Sequence, residues 1–358
     1  MDNLELRKLS SNLLKKSKHQ AKPDKCIMCG EPQTSFCNSH LIPQMILKNI
    51  AKDGKVLYSN SLVGFEVLDI EKGVNNAGTF HYICSKCDGM LFQSYENREA
   101  LKNIPSDIML SEIAMKNMLM MLSKRNEEKQ IYAIAQKQYN GLENKEVLDE
   151  IQDWDTIEYL ENLEIYKKII DTKSSGCFQI LYWNKLPYVS PIAVQTPIVL
   201  YKDMNGDIVN DVYSDDPKCR MQNMHLCIFP MENETVILLF YHKRNKNYRK
   251  LRHQFNSISE GEKLEFINYI IFAYTENYFI SKTIQEIIES DENLKKLSQE
   301  CNGNPNFGFL DAWNMVCEYT PVDRGDIPNF LLKEYALQEC NSVLDKNTPG
   351  KLQPYIGN

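Results

Sequence analysis

The sequence contains no run of eighteen apolar residues and no excess of positive charge. Because a membrane-spanning helix needs about 20 consecutive apolar residues, no such helix is predicted. Residues 1–25 are polar and charged and lack the apolar stretch of a secretory signal peptide. The formal net charge of −7 excludes a globally basic nucleic-acid-binding protein, although a local basic segment can still bind phosphate.

Internal repeats and low-complexity tracts are also missing, so neither a repeat array nor a long biased tract is predicted. The 358 residues, 43% of them apolar, indicate two domains or three, with enough apolar surface for a substantial core. Eleven cysteines are an odd number that does not suit a secreted set of disulfides. Four stand in Cys-x-x-Cys pairs and seven are scattered, which is typical of a reducing cytosol and predicts a cytoplasmic protein.

Two cysteine pairs carry the strongest chemical signal in the chain. Each Cys-x-x-Cys spacing places two thiolates as a zinc knuckle does, and two knuckles complete one tetrahedral Zn²⁺ site. The spacing therefore predicts one structural zinc ion held by Cys26, Cys29, Cys84 and Cys87.

A second set of zinc ligands stays open at this point. Cys37 and His40 follow the first pair with knuckle-like spacing, so they could complete a Cys₃His site together with Cys26 and Cys29. That arrangement would leave the second cysteine pair without a role. Cys37 is therefore interpreted as a buried thiol.

The segment between the two pairs contains Ser39-His40-Leu41-Ile42-Pro43, and the second pair is followed by an acidic residue and then by Tyr95-Glu96. This order of motifs resembles the zinc-containing branch of the HNH endonucleases over roughly residues 24–99. The resemblance implies a ββα-metal fold of the treble-clef type. It also implies metal-dependent hydrolysis of phosphodiester bonds in DNA, with RNA as a further substrate class, in a setting such as bacterial restriction or phage defence.

The resemblance also implies roles for individual residues. His40 matches the histidine that deprotonates the attacking water, and Asn75 or Asn76 matches the asparagine that orients it. A catalytic Mg²⁺ or Mn²⁺ ion would neutralise the charge that develops on the phosphate. Further candidates are Asp88 as a metal ligand, Glu96 as an assisting ligand or a partner of Arg98, and His81 as a second ligand or base.

Two positions depart from the family pattern. Ser39 stands where an acidic or histidine ligand precedes the base, and Asp88 stands where a final histidine follows the second cysteine pair. A carboxylate at that place still suits a hard cation, whereas a serine hydroxyl is a poor ligand. The departures keep a second interpretation open, in which a non-catalytic zinc-binding module recognises nucleic acid or a partner protein.

The chain is predicted to have an α+β fold in four stretches. These are a basic N-terminal segment over 1–25, the zinc-bound module over 26–104, a helical region over 105–172, and an α+β domain over 173–358. The last domain is predicted to combine an antiparallel sheet with helices. It would sense a trigger, choose the substrate, or mediate assembly with another copy or a partner protein.

Residue patterns predict individual helices and strands within these stretches. Apolar residues at intervals of three and four predict a helix from about 105, and a second, acidic helix is predicted over 143–170. A capping box, Ser259-x-x-Glu262, marks the start of another helix, and the only convincing helix of the tail is predicted near Phe330–Cys340. Strands are predicted over Val56–Tyr58, Phe80–Ile83, Cys177–Trp183, Ala193–Tyr201, Ile208–Tyr213, His225–Phe229 and Thr235–His242.

Residues 242–253 form the densest basic segment, with six Lys or Arg and no acid. Such a segment can neutralise several phosphates, and its central tyrosine could stack on an unpaired base. A solvated loop without a ligand is the alternative interpretation. The predicted nucleic-acid-binding residues are Lys243, Arg244, Lys246, Tyr248, Arg249, Lys250 and Arg252.

Overall fold

A computed structural model describes residues 3–58, 71–139, 145–212, 214, 216, 218–301 and 322–337. These residues form helices and antiparallel sheets, which confirms a fold that mixes α and β structure. Tyr213 and most of the tail from residue 302 fall outside the described residues, and so do the predictions made for them.

The cysteine-containing stretch consists of short elements. The β1–β4 pair is antiparallel, with Ser39 opposite Phe80 and His40 opposite Thr79. The strand predicted over Phe80–Ile83 ends at Phe80, because the following residues turn into the second cysteine pair. In chain order the elements are α1 (Asn3–Gln20), β1 (Ser39–His40), α2 (Gln44–Ile50), β2 (Lys55–Tyr58), β3 (Glu71–Gly73), β4 (Thr79–Phe80), α3 (Ser85–Leu91) and α4 (Arg98–Leu101).

Two long helices follow, α5 (Asp107–Tyr139) and α6 (Lys145–Thr172), and they pack against each other. Both were predicted, α5 from its apolar periodicity and α6 as an acidic helix. The carboxylate of Asp107 accepts hydrogen bonds from the backbone N–H groups of Gly176, Cys177 and Phe178 at 2.8–3.0 Å. The start of α5 is therefore attached to the segment that leads into the first strand after α6.

A seven-stranded antiparallel sheet is the centre of the molecule, with strand order β3-β2-β9-β6-β7-β8-β5. The sheet combines strands of the cysteine-containing stretch with strands beyond residue 173. The predicted capping box between Ser259 and Glu262 begins helix α8. The remaining elements are β5 (Phe178–Leu186), β6 (Ile192–Ile198), β7 (Met224–Pro230), β8 (Thr235–His242), α7 (Tyr248–Ser257), α8 (Glu260–Tyr274), β9 (Tyr278–Ile280), α9 (Gln285–Ser290) and α10 (Glu292–Cys301).

Helices cover both faces of the sheet, so its central strands are buried throughout. Along β7, Cys227 and Phe229 belong to the core that faces α5, whereas Leu226 and Ile228 belong to the core that faces α7 and α8. This alternation follows from the two-residue period of a strand. Burial on both faces explains why these strands read as continuous apolar runs.

Two secondary-structure predictions were wrong. The described part of Ile208–Tyr213 forms no strand, since Ile208 makes only an isolated bridge to Lys202 and the backbone then turns. Within Phe330–Cys340, the described residues contain a short 3-10 turn at Lys333–Tyr335 instead of an α-helix. Phe330 and Leu331 are buried in the core, and the chain turns at these two residues just before the 3-10 turn.

Gly78 fixes the cysteine-containing stretch against the sheet. Its φ of +62° lies in the left-handed region, and a Cβ atom there would lie 2.9 Å from the ring of Phe279 in β9. Its carbonyl also accepts the backbone N–H of Leu41 at 2.9 Å. Only glycine satisfies this conformation and this close contact without strain.

Candidate functional site

The four cysteines of the two pairs come together in space. Their sulfur atoms all lie within 4.8 Å of one another, so that Cys26, Cys29, Cys84 and Cys87 could hold one metal ion. Gly30, with φ +74°, turns the chain so that its N–H donates to the Cys26 carbonyl at 2.8 Å. Three of the cysteines are buried, and Cys29 is exposed.

Backbone N–H groups point at the sulfur atoms. The N–H of Cys84 lies 3.3 Å from the Cys26 sulfur, and that of Cys87 lies 3.5 Å from the Cys84 sulfur. Burial alone would raise the pKa of Cys26, but hydrogen bonds from the backbone N–H groups of Cys84, Cys29 and Met28 outweigh burial and lower the pKa to about 7. Burial and the neighbouring sulfurs raise the pKa of Cys87, because thiolates repel one another. A bound cation would remove that repulsion.

Cys37 does not belong to this cluster. Its thiol donates to the Ile83 carbonyl at 3.1 Å, and burial raises the pKa of Cys37 to about 12. Neither Cys37 nor His40 belongs to the group of ligand atoms that lie within 4.8 Å of one another. The geometry therefore favours the set with both cysteine pairs over the alternative set of Cys26, Cys29, Cys37 and His40.

His40 lies on β1, next to the cysteine cluster, and is half-buried. Its Nε2 atom is 3.0 Å from the Val74 carbonyl oxygen. Because a carbonyl oxygen only accepts, Nε2 carries the hydrogen and Nδ1 keeps its lone pair. Burial lowers the pKa of His40, and the charge of Lys116 lowers it further, while the Val74 carbonyl and two carboxylates oppose the shift. His40 is therefore neutral at pH 7 and can accept a proton.

Neither candidate asparagine orients His40. Asn38 donates to the Asn75 carbonyl at 2.7 Å, and Gln44 donates to the Asn75 side chain at 2.6 Å. Asn76 has its side-chain oxygen 3.4 Å from Asn38. The backbone carbonyl of Val74 holds the imidazole instead, so the orienting role assigned to Asn75 or Asn76 is corrected.

Asp88 lies on the first turn of α3, facing β1. One of its carboxylate oxygens accepts the Ser39 hydroxyl at 2.6 Å and lies 3.2 Å from the ammonium of Lys116. The same ammonium is 2.6 Å from a carboxylate oxygen of Glu96. Lys116 thus bridges the two acids that the sequence suggested as metal ligands, and Glu96 pairs with Lys116 instead of Arg98.

Lys116 comes from helix α5 and is fully buried. Its ammonium lies 4.2 Å from the ring centroid of Phe92 and 5.5 Å from that of Tyr95, a cation–π arrangement. A second buried charge on α5, Glu112, accepts the backbone N–H groups of Ser94 and Tyr95 at 2.9 and 3.1 Å. Helix α5 therefore fixes the segment that carries Glu96.

An open cavity of about 240 Å³ lies over these groups. Its wall includes both acids and the imidazole, so a ligand in the cavity can reach all three side chains. In the part of the chain that the structure describes, the cysteine cluster is the one group of three or more potential ligands within 4.8 Å. His40, Asp88 and Glu96 are therefore not drawn together as a closed metal site. The cavity is lined by Asn38, His40, Pro43, Gln44, Met45, Asp88 and Glu96.

His81 is exposed and does not line this cavity. The positive charges near it are those of Lys18 and Lys22, at the end of α1 and just beyond it. No contact between His81 and either acid is found among the described residues, and its suggested role as a second ligand or base stays a prediction.

In the basic segment 242–253, some side chains form hydrogen bonds or ion pairs with other described residues of the protein and others do not. Lys250 pairs with Asp203 at 3.5 Å and also with Asp207, and Arg244 donates to the side chain of Asn162. Tyr248 is fully buried, and its hydroxyl donates to the Gln222 carbonyl at 2.5 Å. Stacking of Tyr248 on a base was therefore a wrong prediction. Nucleic-acid binding by the six Lys and Arg residues stays a prediction; they are Lys243, Arg244, Lys246, Arg249, Lys250 and Arg252.

Sequence reasoning missed Lys116 and Glu112. Both lie in the apolar run of α5, four residues apart and so on one side of the helix. Buried charges need partners, so two opposite charges inside a predicted core stripe were the signal for a polar site beneath it.

Comparison of the chain with family models, curated proteins and solved structures finds no match. In the described part of the chain, no helix is both long and apolar enough to cross a membrane. The functional interpretation therefore depends on the geometry of the residues themselves.

Proposed function

We propose that residues 26–104 form a zinc-stabilised HNH-type module that hydrolyses phosphodiester bonds of nucleic acid. The substrate is DNA, and RNA is the further class to test. The observation that carries the proposal is the placement of His40 on β1, with a free Nδ1 lone pair, at a cavity that also contains the Asp88 carboxylate on α3. Strands β1 and β4 with helix α3 supply the two strands and one helix of such a module.

Zinc is the metal that the cysteine cluster suits best. Four thiolates in a tetrahedral arrangement select zinc, and a closed set of four leaves no open position for substrate. The zinc ion would therefore be structural. It would hold the first cysteine pair to the start of α3 and so keep β1 next to Asp88.

His40 is the proposed general base. The Val74 carbonyl fixes the imidazole through Nε2, and the neutral Nδ1 can take a proton from a water molecule in the cavity. A base held in one tautomer by a backbone carbonyl needs no rearrangement before it acts. The attacking water would lie between His40 and the scissile phosphate.

Asp88 and Glu96 would hold the divalent ion, since both carboxylates line the cavity beside His40. Mg²⁺ suits such a place, because it keeps several water ligands and needs only one or two carboxylates. When bound, the ion supplies positive charge at the phosphate and the leaving oxygen. The Ser39 hydroxyl donates to Asp88 and would hold that carboxylate in position without binding the ion itself.

Nicking of a supercoiled plasmid tests the proposal. We expect cleavage with added Mg²⁺ or Mn²⁺ and little without added metal. Asp88 and Glu96 are two negative charges beside the single positive charge of Lys116, so they can still attract a cation. The zinc content is measured before and after the reaction, so that loss of the structural metal is not mistaken for loss of catalysis. Folded, zinc-loaded protein that cleaves neither plasmid, single-stranded DNA nor RNA under any metal condition would contradict the proposal.

One observation favours the second function, a non-catalytic module that recognises nucleic acid or a protein. The Lys116 ammonium already bridges Asp88 and Glu96, at 3.2 and 2.6 Å, in the place that a catalytic cation would share. If no divalent ion displaces Lys116, Asp88 and Glu96 stabilise the fold and do not take part in catalysis. The two functions differ in whether a divalent ion competes with Lys116.

The Lys116→Met variant measures that competition. Methionine keeps the buried volume but removes the charge, and the two carboxylates remain 24% and 38% exposed, so water can solvate them. The ammonium repels a dication bound by the same carboxylates, and its removal abolishes that repulsion. We therefore expect the variant to bind Mn²⁺ at least about tenfold more tightly than the wild type.

Lys124→Met is the matched control, since Lys124 lies on the same helix and pairs with a different acid, Glu276, at 3.6 Å. Its Mn²⁺ affinity should equal that of the wild type. If Lys116→Met and the wild type bind Mn²⁺ equally weakly, the acids are structural, and the non-catalytic function is the better one.

A further inference from the structure

A second cleft, of about 360 Å³, lies at the edge of the large sheet, far along the chain from the cysteine cluster. It is formed where the edge strand β5, its neighbour β8 and helix α7 meet. Among the residues that the structure describes, no carboxylate lines this cleft. Its lining residues are Gln179, Tyr241, Lys243, Arg249, Arg252 and His253.

The fold brings these residues together from two elements. Gln179 and Tyr241 are opposite each other in the β5–β8 pair, so their side chains share one face of the sheet. Lys243 follows Tyr241 by two residues and continues that face just beyond the end of β8. Arg249 and Arg252 are three residues apart on α7 and therefore project from the same side of the helix.

The positive charge of the cleft is not compensated by the protein. Within the described residues, the side chains of Lys243, Arg249 and Arg252 make no ion pair or hydrogen bond. Lys250, on the same helix but outside the cleft, is paired with Asp203 and Asp207. The three cations that face the cleft are thus without a counter-charge from the protein.

Tyr241 contributes a hydroxyl group to the cleft from a side chain that is packed in the core. The residue is only 3% exposed, and its ring packs on Tyr248 with centroids 5.5 Å apart. Its hydroxyl has no hydrogen-bond partner among the described residues, and it is not enclosed, so it can donate to a ligand in the cleft. Burial raises the pKa of Tyr241, against the opposing charges of Arg252 and Arg249, which keeps the hydroxyl protonated.

We propose that this cleft binds the phosphate groups of a small phosphorylated molecule of nucleotide size. Three cations, a tyrosine hydroxyl and a glutamine amide supply the donors that phosphate oxygens accept. The volume lies within the range of small-molecule pockets. A nucleic-acid strand would need a row of cations and a stacking ring, whereas here the cations converge on one spot and Tyr248 is buried.

Calorimetric titration of the full-length protein with inorganic pyrophosphate and with ADP tests the site. We expect saturable binding of both to the wild type. Removal of one charged hydrogen-bond donor in Arg252→Gln should weaken binding by about tenfold or more. Tyr241→Phe, which removes only the hydroxyl, should weaken it by about threefold to tenfold.

Lys246→Gln is the control, because it removes the same charge from the same segment but from outside the cleft. We expect its affinity for pyrophosphate to equal that of the wild type. Failure of the wild type to bind pyrophosphate and ADP at millimolar concentration, or equal binding by Arg252→Gln, would overturn the proposal. If only a duplex oligonucleotide binds, and Lys246→Gln weakens it as much as Arg252→Gln, the segment is a nucleic-acid surface instead.

The measurement is independent of nuclease activity. The titration is repeated with a His40→Ala variant, which alters the candidate nuclease site and leaves every cleft residue in place. Unchanged affinity in that variant separates the cleft from the proposed catalytic function, so that failure of one proposal does not decide the other.

Discussion

The Cys84→Ser variant is expected to lose its zinc and the folded state of the cysteine-containing stretch together. The wild type should contain about one zinc ion per chain, because four sulfurs within 4.8 Å complete one tetrahedral site. Cys84 also caps α3, with its sulfur accepting the Cys87 N–H. Serine is a favoured capping residue, so the substitution spares the cap and isolates the loss of the thiolate. Metal analysis and thermal unfolding measure the two losses.

The expected effect is large because the metal joins distant segments. Cys29 and Cys84 are 55 residues apart in sequence, and the short strands β1 and β4 between the pairs have few hydrogen bonds of their own. Structural zinc contributes about 10–16 kcal/mol in small zinc-binding peptides, comparable with the whole stability of a domain, which is about 5–15 kcal/mol. Loss of the metal should therefore remove β1, and His40 with it, from its place beside α3.

Cys37→Ser is the matched control. Its thiol donates to the Ile83 carbonyl, and a serine hydroxyl can do the same, so the variant should keep its zinc and its melting temperature. Zinc loss in Cys37→Ser together with zinc retention in Cys84→Ser would instead favour the ligand set that contains His40. Absence of zinc from freshly purified wild-type protein would refute the zinc assignment altogether.

The parts of the fold that followed from the sequence depend on local spacing. The cysteine pairs, the apolar periodicity of α5 and the capping box of α8 are patterns that span between four residues and a few helical turns. The long buried strands could also be recognised from their composition. The strand predicted from Ile208 failed because strand propensity reflects packing, and Ile208 is 61% exposed on a turn.

Other features depend on contacts that no local pattern specifies. Leu57 of β2 pairs with Ile280 of β9, so two stretches that the sequence separates share one sheet. Lys116 reaches Asp88 and Glu96 from a helix that was interpreted only as core. A backbone carbonyl also has no sequence signal, since every residue has one, and so Val74 could not be distinguished from its asparagine neighbours as the group that orients His40.

His40→Ala is expected to lower the rate of phosphodiester cleavage by roughly 10²–10⁴, the usual contribution of a general base. Among the described residues, the His40 side chain hydrogen-bonds only to Val74, and it is not part of the cysteine cluster. Its removal should therefore leave the zinc content unchanged and cost only about 1 kcal/mol of stability. Single-turnover cleavage of a plasmid, beside metal analysis and thermal unfolding of the same sample, separates the catalytic from the structural effect.

The pH dependence gives a second readout of the same residue. Because burial lowers the pKa of His40, the neutral and active form persists below the ordinary histidine value of about 6.5. The wild-type rate should therefore fall only when the pH drops through the lowered pKa, and the residual rate of His40→Ala should lack this step. His81→Ala is the control, since that histidine lies outside the cavity and its loss should change neither the rate nor the acid limb. Equal rates for the wild type and His40→Ala would leave the carboxylates without a base beside them, and the zinc module would then be a recognition element in which Lys116, Asp88 and Glu96 form a structural ion pair.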